Sequence, residues 1–250
     1  MKEIYLGLKF SLSYFSILPI SFKENDDLGA SKVLSSMLFF FSFIGLLIAS
    51  ITVLLYTFFF SSLGIVGAVI SSVIYMMLYG FIHTEAILDV VDALYASHSG
   101  KNPYEVIKEP HIGAMGMLWG AGFVIIKVAL LASLLEKELF FPFMVVAMMS
   151  RWNIVFLIKQ LQFKSTFVET LQKALSLKTL LLSLILVCSI GYILIGVEII
   201  IFVFVALLSS FLIAKFIGKK LTFFNGDVLG ATLESTEILL FLLSLKIISF

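Results

Sequence analysis

Residues 37–59 read MLFFFSFIGLLIASITVLLYTFF, an apolar run without a charged side chain. A hydrocarbon core about 30 Å thick takes roughly 20 apolar residues in an α-helix, so this stretch reads as a membrane span. Comparable runs follow at about 61–82, 112–135, 139–158, 179–197, 199–217 and 232–250. The chain is 61% hydrophobic and 13% charged, more apolar surface than a soluble domain could bury. The expectation is an all-α, polytopic integral membrane helical bundle of about seven transmembrane helices. Residues 1–250 form a single domain, since no repeat, low-complexity tract or linker divides them.

The stretch between Met1 and Pro19 is apolar but carries Lys9 and several serines, which suits an interfacial or re-entrant segment better than a span. It lacks the small-residue cleavage site of a secretory signal, so it is expected in the mature protein. Cys188, the single cysteine, excludes an intramolecular disulfide and reads as a small packing residue. Lysines fall on alternate loops. One side receives Lys23, Lys32, Lys101, Lys108, Lys159 through Lys178, Lys215, Lys219 and Lys220, while on the other Lys137 is the lone loop cation. Cytoplasmic loops are enriched in Lys and Arg, so the lysine-rich side is expected to be cytoplasmic.

The chemistry gathers on that side. All three histidines, His83, His98 and His111, lie between the second and third spans together with Asp89 and Asp92. The segment His83 to Leu94 has no Gly or Pro, so a helix is expected. Glu85, Asp89 and Asp92 then stand at i, i+4 and i+7, a stripe of three carboxylates on an otherwise apolar helix. Such charges repel and are costly to ionise near lipid. A hard divalent cation such as Mg²⁺, which is bound by one or two carboxylates plus substrate phosphates, would relieve both. The bland alternative is the wet face of a surface helix.

Two further clusters face the same way. Lys108-Glu109-Pro110-His111-Ile112-Gly113-Ala114-Met115-Gly116 opens the third span, where free N–H groups would favour a phosphate-bearing substrate. Its glycines could instead serve helix packing. Asn225-Gly226-Asp227-Val228-Leu229-Gly230-Ala231 opens the last span, with Glu234 and Glu237 beyond it inside the apolar run, as functional acids or as interhelical pins. Arg151, the only arginine, needs a partner within the membrane, either a diphosphate or one of these acids. Lys127 lies nearer the opposite face and is expected to snorkel outward.

These residues resemble the cobalamin synthase family, adenosylcobinamide-GDP ribazoletransferase, over almost the whole chain. The resemblance rests on Leu18-Pro19 and Phe43-Ile44-Gly45-Leu46-Leu47, on His83 to Leu94, on Lys108 to Gly116 with its glycine pair, on Arg151, and on Gly226-Asp227, Leu229-Gly230-Ala231, Glu234 and Glu237. It implies transfer of the adenosylcobinamide phosphate moiety from its GDP-activated form to α-ribazole or α-ribazole 5′-phosphate, with release of GMP. Glu85, Asp89, Asp92 and Asp227 would hold Mg²⁺, and His83, Asp89, Asp92 and Arg151 would be catalytic, with His83 as base for the ribose hydroxyl. Lys108, His111, Gly113, Gly116, Gly226, Glu234 and Glu237 would contact substrate. The resemblance further implies a multi-pass protein of the cell inner membrane, in contact with lipid and with other cobalamin-pathway enzymes, and no nucleic-acid partner.

The chain departs from the family pattern within the motifs. Glu85 and Glu109 stand where Asp is usual, His111 where Arg is usual, Ala86 and Ala93 where glycines are usual, Ile17 where an arginine is usual, and Thr222-Phe223 where a glycine pair is usual. Two rival readings are a CDP-alcohol phosphotransferase, whose Gly-containing and Ala-Arg elements are missing here, and a transporter. A transporter would carry its ionisable residues near the midplane on broken helices, whereas here they are expected to crowd the cytoplasmic ends.

Overall fold

A computed structural model describes residues 2–109 and 111–247. Met1, Pro110 of the second polar cluster and residues 248–250 of the expected last span lie outside the described residues. Eleven α-helices follow in order among the described residues: α1 (Lys2–Phe15), α2 (Ser31–Leu55), α3 (Ile65–Leu78), α4 (Ile82–His98), α5 (Pro103–Val106), α6 (Ala114–Glu136), α7 (Phe140–Gln160), α8 (Thr166–Ala174), α9 (Leu177–Ile195), α10 (Ile199–Leu221) and α11 (Gly226–Ile247).

The membrane-bundle expectation holds. Five helical stretches are long and apolar enough to cross a membrane, and the bent pair α3–α4 makes a sixth. One of the five, Leu177–Leu221, contains both α9 and α10. A 3₁₀ turn at Gly196–Glu198 separates the two, Gly196 has φ +68°, and Ile199 folds back over Gly191. About seven apolar helices therefore correspond to the seven expected runs. Helix α1, at about 1.5 Å per residue, is too short to span and packs along α2 instead.

Helix α7 is the hub. Residues 145–155 are buried without interruption, as expected of a helix apolar on all sides, and α7 packs against α2, α9, α10 and α11. The outer helices α9 and α10 turn Ile185, Ile193, Ile200 and Phe204 outward, a surface that suits lipid. Short α8 was not expected from the sequence. It buries Val168 and Leu171, and its Gln172 donates from Nε2 to the Ile158 and Leu161 carbonyls at 2.6 Å each, satisfying groups left open at the end of α7.

The corner between α3 and α4 positions the site. Gly80 and Phe81 both take left-handed backbone conformations, with φ +66° and +55°. The two helices meet at 81°. Helix α4 thus turns across the lysine-rich end of the bundle, where it packs on α6 and α11. The expected span 61–82 is shortened to Ile65–Leu78 by this corner and by π and 3₁₀ turns over residues 56–63.

Candidate active site

Helix α4 brings the carboxylate stripe to the first turn of α11. Close approach is possible because residue 230 is a glycine: a Cβ there would lie 2.7 Å from the Ala86 Cβ. Asn225 starts α11, accepting the Val228 N–H at 3.0 Å and donating to Asp227 Oδ2 at 2.6 Å. This cap explains why the last helix begins at Gly226 and not near residue 232. Asp89 is half-buried, and its carboxyl is pushed up to about 6, by burial first and then by the negative charges of Asp227, Glu85 and Asp92. Glu85 is exposed beside it.

Asp92 has its own duty. It accepts the Gly113 N–H at 2.5 Å and the Gly116 N–H at 2.7 Å, so this carboxylate closes the first turn of α6. Gly116 is required there, since a Cβ would lie 2.7 Å from the Leu88 carbonyl oxygen as well as overlap the Asp92 carboxylate, while one at Gly113 would only push that carboxylate aside. The N–H groups expected to receive a substrate phosphate are thus engaged by a side chain of the protein.

A cavity of about 160 Å³ opens beside Asp227, between α1, α2, α4, α7, α8 and α11. Its walls are apolar and aromatic apart from His83, Asp227 and the Tyr14 hydroxyl. His83 is 7% exposed, with its ring 5.8 to 6.2 Å from those of Tyr79, Phe41 and Phe15. Its Nε2 has no hydrogen-bond partner.

Deeper in the bundle, four charged residues pair among themselves. Lys127 Nζ lies 2.6 Å from Glu234 Oε2 and 2.6 Å from Glu237 Oε2, and Arg151 pairs with Glu237. Neutral groups complete the network: Tyr79 OH donates to Glu234 at 2.8 Å, and Tyr75 OH and Ser150 Oγ each donate to Glu237 at 2.9 Å. All four charged side chains are buried. Two cations balance two anions, the arrangement that makes charges tolerable in a low-dielectric interior.

This quartet corrects two expectations. Lys127 does not snorkel outward: it is fully buried and held by both glutamates, whose attraction outweighs a path to the surface. The ionisable residues also do not all crowd the cytoplasmic ends, since these four sit within α6, α7 and α11. Arg151, Glu234 and Glu237 bond to one another's network, not to the carboxylates of α4. Glu234 and Glu237 tie α11 to α6 and α7 through Lys127 and Arg151, contacts of the kind that the reading as interhelical pins anticipates.

The remaining expected residues lie at the lysine-rich end. Lys108 is exposed with Nζ 3.9 Å above the Tyr104 ring, and Lys164 covers the same ring at 3.8 Å. His111 is exposed and lines a shallow depression with Asp92 and Glu109. Gly226 has open space where a Cβ would point. Among the described residues, no three His, Cys, Asp or Glu stand close enough to enclose a metal ion by themselves. Mg²⁺ takes as few as one or two carboxylates when substrate phosphates complete its shell, so a site here would draw on no more than two of Glu85, Asp89 and Asp227 together with a diphosphate. Sequence reasoning missed Tyr75, Tyr79 and Lys127 as parts of the frame. The signal for them was the charge balance: two bases and two acids inside apolar runs.

The comparisons agree with one another. The family profile described as cobalamin-5-phosphate synthase matches residues 7–245. The chain is 25% identical over 94% of its length to the adenosylcobinamide-GDP ribazoletransferase of Desulforamulus reducens, covering 94% of that protein. It is 28% identical over 96% of its length to that of Clostridium perfringens, covering 98% of it. A third relative of the same name, from Brevibacillus brevis, is 28% identical over 63% of this chain and 65% of its own length. No solved structure matches the chain.

Proposed function

We infer that this chain, which belongs to the cobalamin-5-phosphate synthase family, is an adenosylcobinamide-GDP ribazoletransferase. In that reaction a hydroxyl of α-ribazole, or of its 5′-phosphate, displaces GMP from the phosphorus that carries adenosylcobinamide. The observation that carries the reading is that Asp89 lies within electrostatic reach of Asp227 and Glu85 where α4 packs on α11, next to a cavity lined by His83 and Asp227. Phosphoryl transfer demands positioning and charge neutralisation more than covalent chemistry from the protein.

One or two of Glu85, Asp89 and Asp227 are proposed to hold Mg²⁺ against the diphosphate. The ion, when bound, would neutralise charge on the diphosphate oxygens. Asp92 fixes α6 relative to α4 and so sets where Lys108 and His111 stand to meet the phosphates. Lys108 supplies a fixed positive charge, while His111 supplies a titratable one. His83, which lines the cavity and whose buried Nε2 has no partner, is the proposed base for the acceptor hydroxyl. Arg151 holds Glu237 and the frame beneath the site. The lysine-rich end carrying the site is assigned to the cytoplasm, supported by the loop charges.

The test is GMP release by the detergent-purified protein given adenosylcobinamide-GDP, α-ribazole and Mg²⁺. The expected result is GMP together with a cobalamin product of the correct mass, both lost on adding EDTA. GMP formation only with a lipid alcohol as acceptor would favour a CDP-alcohol type of transferase. Uptake of a corrinoid into vesicles without chemical change would favour a transporter.

A further inference from the structure

Two aromatic heterocycles take part in the proposed reaction, the guanine of the donor and the base of ribazole, and the cavity beside Asp227 discriminates between them. Guanine brings several polar edge groups that must be paired when buried. The described lining offers few polar groups, among them His83 and Asp227, and its remaining walls include Phe15, Phe41, Val168 and Ile158. A ribazole base, a substituted benzimidazole, is flat and largely apolar. An apolar cavity of about 150 Å³ is known to hold a single aromatic ring, so a space of about 160 Å³ suits a small planar group and is far too small for a corrin macrocycle.

A second observation points to a ligand here. His83 is among the residues that line this cavity, and its Nε2 is buried without a partner. An unpaired polar atom costs free energy, and the structure retains this one beside the proposed phosphoryl-transfer carboxylates.

We propose that this cavity is the acceptor-base subsite, in which the benzimidazole of ribazole lies among Phe15, Phe41 and Val168 with its ribose toward Asp227. The inference rests on the reading of the chain as a ribazoletransferase. It adds that the residues of α1, α2 and α8 select the acceptor, while Lys108 and His111 between α5 and α6 handle the donor. The selective wall is α8, the short amphipathic helix that contributes Val168 and Leu171.

The test replaces Val168 with Phe to narrow the cavity, with KM measured separately for α-ribazole and for adenosylcobinamide-GDP. The expected outcome is a rise in acceptor KM of about tenfold or more with the donor KM unchanged, since removing room for a methyl-sized group costs that much discrimination. Unsubstituted benzimidazole riboside should lose less than its dimethyl form. Equal changes in both KM values, or an unchanged acceptor KM, would overturn the proposal. Should Val168→Phe fail to fold, Ile158→Ala enlarges the same cavity and should improve the use of a bulkier naphthimidazole riboside relative to ribazole; no change in that ratio would overturn the proposal.

If the wild-type protein releases no GMP, the transferase reading fails separately. Equilibrium dialysis of labelled 5,6-dimethylbenzimidazole then decides the subsite on its own. Binding to wild type that is weakened in Val168→Phe supports it. Absent binding, or binding displaced by added phospholipid and equal in both proteins, overturns it in favour of an empty or lipid-filled space.

Discussion

Asp92 of α4 accepts the Gly116 N–H of α6 at 2.7 Å, so a carboxylate on one helix completes the first turn of another. Its other oxygen does the same for Gly113 at 2.5 Å. Asparagine in its place would keep one acceptor and turn an NH₂ group toward a backbone N–H. Asp92→Asn is expected to cost about 1 kcal/mol of stability, the lower end of the penalty for a lost charge-assisted hydrogen bond, because one of the two bonds is exposed and the other only partly buried. Thermal unfolding in detergent measures it, and an unchanged midpoint would remove Asp92 from this structural duty.

Asp89 differs from Asp92 although both lie on one stripe. Asp89→Asn is expected to abolish GMP release without lowering stability, because it removes a charge that is repelled by Asp227, Glu85 and Asp92. Its folded-state carboxyl titrates at about 6, above the ordinary value, so the stability it confers is fully present below the unfolded pKa and is lost as pH rises through 6. Metal-free wild-type protein should therefore unfold at a higher temperature at pH 5 than at pH 7 by a margin that shrinks in Asp89→Asn. Parallel unfolding curves with EDTA at the two pH values would reveal it, and an identical pH response in both proteins would rule it out.

Lys127 neutralises Glu234 and Glu237 in the buried interior of the bundle. Lys127→Met should destabilise the folded protein by about 3–5 kcal/mol, since it leaves buried negative charge uncompensated. Adding Glu234→Gln to Lys127→Met should restore much of the loss, leaving Arg151 to balance Glu237. The comparison of single and double variants by detergent-phase unfolding reports the coupling, and additive losses would mean that the two side chains do not interact.

A Cβ added to Gly226 would meet no atom within 4 Å, so packing does not demand a glycine at this position. Gly226→Ala should leave the unfolding temperature unchanged. A raised KM for adenosylcobinamide-GDP in that variant would mean that the donor itself approaches the backbone at the start of α11. Unchanged kinetics would remove Gly226 from the substrate contacts expected of it.

The fold was largely legible because membrane spans announce themselves by length and charge content alone. The carboxylate stripe was legible too, since Glu85, Asp89 and Asp92 obey the helical period within a dozen residues. The quartet was not. Lys127 and Glu234 are separated by 107 positions, and a lone lysine in an apolar run reads the same whether it snorkels or pairs. Nor does sequence spacing reveal that Phe81 adopts a left-handed conformation beside Gly80, although that pair of residues turns α4 across the end of the bundle. The bonds of Asp92 were not legible for a related reason: its partners, the Gly113 and Gly116 N–H groups, are backbone atoms that leave no mark of their own in a residue string.

The separation between Lys127 and its glutamates also orders events at the ribosome. Helices α6 and α7 enter the bilayer carrying Lys127 and Arg151 well before translation reaches α11. Until that last helix arrives, two cations stand without their counter-ions in a medium that disfavours them. Assembly therefore ends with a charge-closing step that only a chain translated through Glu237 can complete. A nascent chain cut short before that point would expose the same two cations as a mark of incompleteness to the quality-control machinery of the membrane.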